Sequence, residues 1–369
     1  LGNTSLLAGA LALAWVLTGC APPEPIRIGL LAGLSDRGSD FGESVRNGVI
    51  LAIEQQNEAG GINGRKIELI VRDDGQDKVK AELAAQELIA LRPDIVIGPV
   101  TSSMATVVIP LMDKAGQIMI SPTVASTNFY GKDDNFFRVN CTTREAAIQH
   151  ARVLYERGAR RAGLAFDASN LPFSGTWIEA FSAEFEKLGG STSATAGFES
   201  AGSTRFSDVV ARLLESKPDA LVLVASTLDT SRLAQQARRQ APGLPLSSSE
   251  WAASAEALIE MGGSAVDGLL MTHAYNRGDN SAAYQNFRNA FKKRFQREFG
   301  SFSLLAYDTA NIVFAAMKKR EAGEGMKSAL LKYGPYQGVQ QEIRFDANGD
   351  ATRKVYFTEI RGDAPVQVK

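Results

Sequence analysis

Residues 94–106 read DIVIGPVTSSMAT. Ile95, Val96 and Ile97 form an apolar run with no polar interruption, as expected of a strand covered on both faces in a parallel sheet. Gly98 and Pro99 end the run. Thr101, Ser102 and Ser103 follow, and then Met104, Val107, Val108 and Leu111 recur at helical spacing, with a kink expected at Pro110. A buried strand that turns through hydroxyls into a helix is half of a βαβ unit. Ligands of open α/β sheets bind at the C-terminal ends of the strands. Taken alone, these hydroxyls serve equally as a helix N-cap or as a site for a carboxylate or other anion.

The same alternation extends in both directions. Upstream, IRIGLLAG (Ile26 to Gly33) is a strand, and Val45, Val49, Ala52 and Ile53 form one face of a helix that stops at the glycines of EAGGINGRK. KIELIVRDD is the next strand, followed by a helical stripe at Ala81, Ala84, Ala85, Leu88 and Leu91 that Pro93 ends. Downstream come QIMISP (strand), AAIQHARVLYERGA (helix), RAGLAFD (strand), FSGTWIEAFSAEFEKLGG and FSDVVARLLESKP (helices), DALVLVAS (strand) and SRLAQQARRQ (helix). The pattern runs from Ile26 to about Met271 and supplies more strands than one small doubly wound sheet holds, so two α/β lobes with parallel sheets are expected. Near the end, YQGVQQEIRFDANGDATRKVYFTEI reads as two strands of a hairpin around Asn348-Gly349.

The chain has 369 residues, with 40 basic against 41 acidic side chains, so its overall charge gives no reason to expect nucleic acid as a partner. Its two cysteines form neither a disulfide framework nor a CxxC pair, and its two histidines do not make a His-based metal cluster; no metal or other cofactor is expected. Leu6 to Leu17 is an uncharged apolar run, too short to span a bilayer and suited to the core of a signal peptide. LTGC, ending at Cys20, resembles the lipobox of bacterial lipoproteins, and APPEP behind it excludes helix and favours an extended tether. Residues 1–19 are therefore expected to be removed, leaving Cys20 as a lipid attachment site and 20–25 as the tether.

Enzyme motifs are scarce. DANGD lacks the spacing of a calcium loop. GxxxxGK[ST], a well-placed GxGxxG and GxSxG are all missing, and neither His150 nor His273 accompanies an evident nucleophile. The strand ends say more. ISPTVASTN repeats the hydroxyl-rich turn with Thr123, Ser126 and Thr127, and two adjacent ends of this kind exceed what capping needs. PLSSSEW puts Glu250 at a further strand end, where it either holds an ammonium group or is a first-turn carboxylate favoured by the helix dipole.

Together NEAGGINGRKIELIVRDD, IGPVTSS, ISPTVAS, FFRV, FSDVVARLLESKPDALVL and GVQQEIRFDANGD resemble the branched-chain amino-acid (Leu/Ile/Val) type of periplasmic binding protein, the receptor component of ABC importers. The resemblance covers nearly the whole chain after the tether. It implies the type I fold: two Rossmann-like lobes joined by three crossovers, near 140–143, 272–275 and 346–350, closing on ligand by hinge bending. Lobe one is then 26–142 plus 273–347, and lobe two 143–272 plus 348–369. Carried over by position, Ser102, Thr123 and Ala125 hold a ligand's α-carboxylate and α-amino groups, with Ser126 replacing the hydroxyl missing at Ala125. Glu250 pairs with the α-ammonium. Phe41, Phe173, Ser226 and Phe302 line the rest of the pocket, with Trp251 beside them. Thr143 stands where the family often has an acid, Ala125 where it often has Thr, and Ser226 where it has an aromatic. These departures leave amino acids, amides, urea and aromatic acids as ligand classes.

The expectation is therefore a non-enzymatic, monomeric receptor, lipid-anchored in the periplasm or at the cell surface, passing an amino acid with an apolar or branched side chain, or a similar small polar molecule, to ABC permease subunits. A sensory lipoprotein signalling to a partner, or an assembly factor using the fold for docking, are the alternatives.

Overall fold

A computed structural model describes residues 23–35, 39–200, 202–252 and 254–368. Cys20 and the leader before it lie outside the described residues.

The first sheet is built from β1 (Ile26–Ala32), β2 (Ile67–Asp73), β3 (Ile95–Ile97), β4 (Met119–Ser121) and β5 (Phe136–Arg138), in the spatial order β2-β1-β3-β4-β5, all parallel. Its helices are α1 (Ser39–Glu58), α2 (Lys78–Leu91) and α3 (Ser102–Lys114), the last running on through Pro110. Successive strand side chains point to opposite faces. Ile28, Leu30, Ile95, Ile97 and Ile120 thus join the core with Phe41, Val45 and Val49 of α1. Leu31, Val96 and Met119 join the opposite core with Ala81 and Leu88 of α2 and with Met104, Val108 and Met112 of α3. That double burial is why the strands read as uninterrupted apolar runs, each large side chain contributing roughly 1.5–3 kcal/mol.

After α4 (Thr143–Glu156) the second sheet begins: β6 (Arg161–Asp167), α5 (Leu171–Lys187), β7 (Ser191–Phe198), α6 (Phe206–Leu214), β8 (Ala220–Val224), α7 (Thr227–Gln240), β9 (Leu246–Ser248), α8 (Ala255–Gly262) and β10 (Leu270–His273). The chain then supplies α9 (Ala282–Phe295), α10 (Ser301–Lys319) and α11 (Met326–Lys332), and a short antiparallel pair, β11 (Tyr336–Gln337) with β12 (Glu342–Ile343). It returns to complete the second sheet with β13 (Tyr356–Arg361) and β14 (Ala364–Val368), in the order β14-β13-β10-β9-β8-β6-β7. Strands β6 to β10 pair in parallel, and β13 and β14 add an antiparallel edge. The result is a two-lobed α/β protein. Helix α10 packs on α1 of the first lobe, so closely at Gly48 that a Cβ there would stand 2.2 Å from the Ser303 carbonyl oxygen.

The hairpin expected around Asn348-Gly349 does not form. Strands β12 and β13 flank that turn but pair elsewhere. The turn lies against β5 instead: the Arg138 N–H donates to the Gly349 carbonyl (3.0 Å) and the Ala351 N–H to the Arg138 carbonyl (3.1 Å). The local Asn-Gly signal was right about the turn and wrong about its partner, because a buried ion pair decides the pairing. The Arg138 guanidinium binds the Asp350 carboxylate, with Nε at 2.7 Å from Oδ1, and the Gly131 N–H takes Oδ2 at 2.7 Å. Arg353 likewise pairs with Asp308 on α10 (2.7 Å) and donates Nε to the Val139 carbonyl. Both pairs link segments far apart in sequence, where the chain passes between the two sheets.

Candidate functional site

The C-terminal ends of both sheets face one another across a cleft. The first lobe contributes Thr101 and Ser102 after β3 and Thr123 after β4; the second contributes Asp167 at the end of β6, Asn170 after it, Ser226 after β8 and Glu250 after β9. The cleft has a narrow inner part of about 20 Å³ that continues inward past Glu250 to His273 and Cys141, and an outer part of about 450 Å³.

Ser102, Thr123, Phe173, Glu250 and Phe302 line the inner part, while Phe41 and Trp251 border both parts and Ser226 the outer one. The rings form one aromatic wall. Phe41 lies 4.6 Å from Phe302 and 6.1 Å from Trp251, and Trp251 lies 5.3 Å from Phe173, centroid to centroid. Ala125, Ser126 and Thr143 line neither part. They are buried, with their polar groups engaged: the Thr143 N–H donates to the Ala125 carbonyl (2.8 Å), Ser126 Oγ accepts from the Asn128 N–H (3.3 Å), and the Thr143 hydroxyl bonds that of Thr176 (2.8 Å).

The hydroxyl-rich turns have divided roles. Thr123 Oγ1 donates its proton to the Val100 carbonyl (2.6 Å), so it offers a ligand only lone pairs. Ser102 Oγ accepts a long bond from the Ser126 N–H (3.4 Å), leaving its own proton for a ligand oxygen. Thr101, at the N-cap position of α3, makes no side-chain capping bond; its hydroxyl donates to Gln76 Oε1 (3.0 Å). The α3 N-terminus is instead met from across the cleft: the Ser103 N–H donates to Asn170 Oδ1 at 2.9 Å. Neither Asn170 nor Asn140, which lines the inner part, stands out in the sequence. The only signal was the position of Asn170 shortly after a strand.

Glu250 precedes α8 by several residues, so it is no first-turn helix carboxylate. It is 9% exposed. Its Oε2 accepts the Trp177 indole N–H at 3.0 Å, and its Oε1 is buried with no hydrogen-bond partner among the described residues. Burial pushes its pKa up to about 7, a rise limited by its own backbone, by the Trp177 indole and by the neighbouring Thr272 hydroxyl, which itself completes no hydrogen bond of good geometry among the described residues. Its neighbours stay neutral: burial drives the His273 imidazole pKa well down and the Cys141 thiol up. The other histidine, His150, packs among Trp177, Phe181 and Phe357, and burial lowers its pKa to about 3. Among the described residues lining the inner and outer parts of the cleft, none is Lys or Arg.

A carboxyl whose folded pKa is raised favours folding at low pH. Its contribution is complete below the ordinary value of 4.5 and lost as pH rises through about 7. The free protein is therefore expected to lose up to roughly 3 kcal/mol from this group between pH 4.5 and 8. Urea titrations across that range check it, and the slope should be missing in Glu250→Gln.

A model of the periplasmic binding protein family matches residues 25–365. A "Leu/Ile/Val-binding protein homolog 2" from Brucella abortus is 24% identical over 358 residues, covering 95% of this chain and 94% of that protein. Among solved structures, a leucine-binding protein, LivK, from Thermotoga maritima superposes with a TM-score of 0.85 at 23% identity, covering 93% of this chain and 98% of the other. The branched-chain amino acid transporter substrate-binding protein LivJ of Streptococcus pneumoniae, in complex with isoleucine, gives a TM-score of 0.85 at 22% identity, covering 94% and 99%.

Proposed function

The chain belongs to the periplasmic binding protein family, and from that premise we propose that it is the extracytoplasmic receptor of an ABC importer for an amino acid with an apolar side chain or stem. The observation that carries this reading is the buried Oε1 of Glu250, unpartnered among the described residues, beside an aromatic wall. A carboxylate in that position calls for a cation, and an α-ammonium supplies one. The ligand carboxylate meets the Ser102 hydroxyl at the N-terminus of α3, where helix amides favour an anion. Thr123 Oγ1, able only to accept, suits the ammonium. Apolar parts of the ligand face Phe41, Phe173, Phe302 and Trp251.

The zwitterion's two ends then pair with different lobes, so only the closed form satisfies both, and ligand drives closure. We take the moving units as 26–142 plus 273–347 and 143–272 plus 348–369. Binding is the function and no chemical step is assigned. The partners are permease subunits, and the protein acts as a monomer held to the membrane through Cys20.

A thermal-shift screen over the α-amino acids, amides, urea and aromatic acids tests the reading. A ligand at about 100 times its Kd stabilises by roughly 2.7 kcal/mol, a shift of several degrees. At least one α-amino acid with an apolar side chain or stem should produce it. A shift with amides or aromatic acids and with no α-amino acid would overturn the reading.

A further inference from the structure

We propose that the outer part of the cleft is a second recognition subsite, which reads a cationic nitrogen group at the far end of the ligand's side chain. This rests on the amino-acid reading above and narrows it to α-amino acids whose apolar stem ends in an ammonium or guanidinium. The outer part, at about 450 Å³, is of ligand size, whereas the inner part leaves about 20 Å³. Phe41 and Trp251 border both, so a methylene stem anchored at Glu250 runs along the apolar rings on its way outward. Ser226 leaves the outer part unfilled: its side chain is small, and its hydroxyl caps α7 by accepting the Asp229 N–H (3.3 Å).

What awaits the far end of the stem is a buried carboxylate. Asp167, at the end of β6, is 2% exposed and lines the outer part. Among the described residues, its hydrogen bonds fall on Oδ1, from the Ser169 N–H (2.9 Å), the Ser169 hydroxyl (2.6 Å) and the Ser200 N–H (3.3 Å), and none falls on Oδ2. Asp229 is close enough to add its charge, and burial together with that charge pushes the Asp167 pKa upward, a strain that a neighbouring cation relieves. The nearest base to Asp229 is Arg232, 3.6 Å away and substantially exposed. On the facing lobe Asp77 borders the same space; its Oδ1 caps α2. Among the described residues lining the outer part, none is basic. A cation there meets carboxylates from both lobes, so it is bound best by the closed form.

Isothermal titration of the full chain with L-lysine, L-arginine, L-norleucine and L-leucine tests the inference without requiring a variant. Lysine and norleucine share the stem and differ by the terminal ammonium. Lysine, arginine or both should bind at least about tenfold tighter than norleucine, the scale of one charge-assisted contact. Asp167→Asn, which keeps the Oδ1 acceptor, should reduce that ratio about tenfold or more. Tighter binding of norleucine or leucine than of lysine and arginine would overturn the inference while leaving the amino-acid reading intact. A preference that persists in Asp167→Asn would overturn the assignment to this carboxylate. Failure of every α-amino acid to bind would overturn both.

Discussion

Glu250→Gln is expected to cost amino-acid affinity about 2–5 kcal/mol, roughly thirtyfold to several thousandfold, while making the free protein more stable at pH 8. The two effects share one cause. Glu250 is buried, its Oε1 has no partner among the described residues, and burial holds its pKa at about 7. At pH 8 the free protein carries most of the cost of that ionised carboxylate, and the neutral amide removes it. The amide oxygen still accepts the Trp177 N–H, which turns the amide nitrogen toward the position of the ligand's ammonium. Donor then faces donor, and the ammonium lies buried with no counter-charge. Calorimetric affinities beside urea unfolding at pH 8 check both halves. A structural role alone would move stability and affinity in the same direction; opposite directions mark a binding carboxylate.

Asp350→Ala should destabilise the fold by about 3–5 kcal/mol. Arg138 and Asp350 are each 2% exposed at the side chain, so removing the carboxylate leaves a buried guanidinium unpaired. The ring of Tyr130, 4.8 Å from the Arg138 guanidinium carbon, is too weak a partner to replace it. The Gly131 N–H loses its acceptor as well. Replacing both members with apolar residues of similar volume should cost far less, since desolvation of the pair vanishes with it. Equilibrium unfolding in urea measures both variants. A loss below about 1 kcal/mol for Asp350→Ala would show that the turn is held by its backbone bonds to β5 alone.

Much of the architecture was legible in the sequence. DIVIGPV announced a buried parallel strand because every residue of β3 is covered on both sheet faces. The C-terminal turn was legible and its pairing was not, since the pairing depends on Arg138, more than 200 residues away along the chain. The cleft was partly legible for a similar reason. Hydroxyls at strand ends mark where a ligand can bind, and Ser102 and Thr123 do line the inner part. Sequence alone did not separate a hydroxyl that faces the cleft from one bonded elsewhere, as at Ser126 and Thr143. Asp167 and Asn170 were passed over because a polar residue after a strand is ordinarily a cap. Asp167 is one through Oδ1, and only the fold reveals its other oxygen.

Proton release on binding tests the central claim most directly. At pH 6 a carboxyl with a pKa near 7 is about nine-tenths protonated, and an ammonium placed against it forces it to ionise. Calorimetric titration at pH 6, in buffers of different ionisation enthalpy, with the amino acid that gives the largest thermal shift, should find close to one proton released per ligand. The release should fade by pH 8 and be missing in Glu250→Gln. Binding with no proton release at pH 6, or with equal release in Glu250→Gln, would contradict the pairing of Glu250 with the ligand's ammonium.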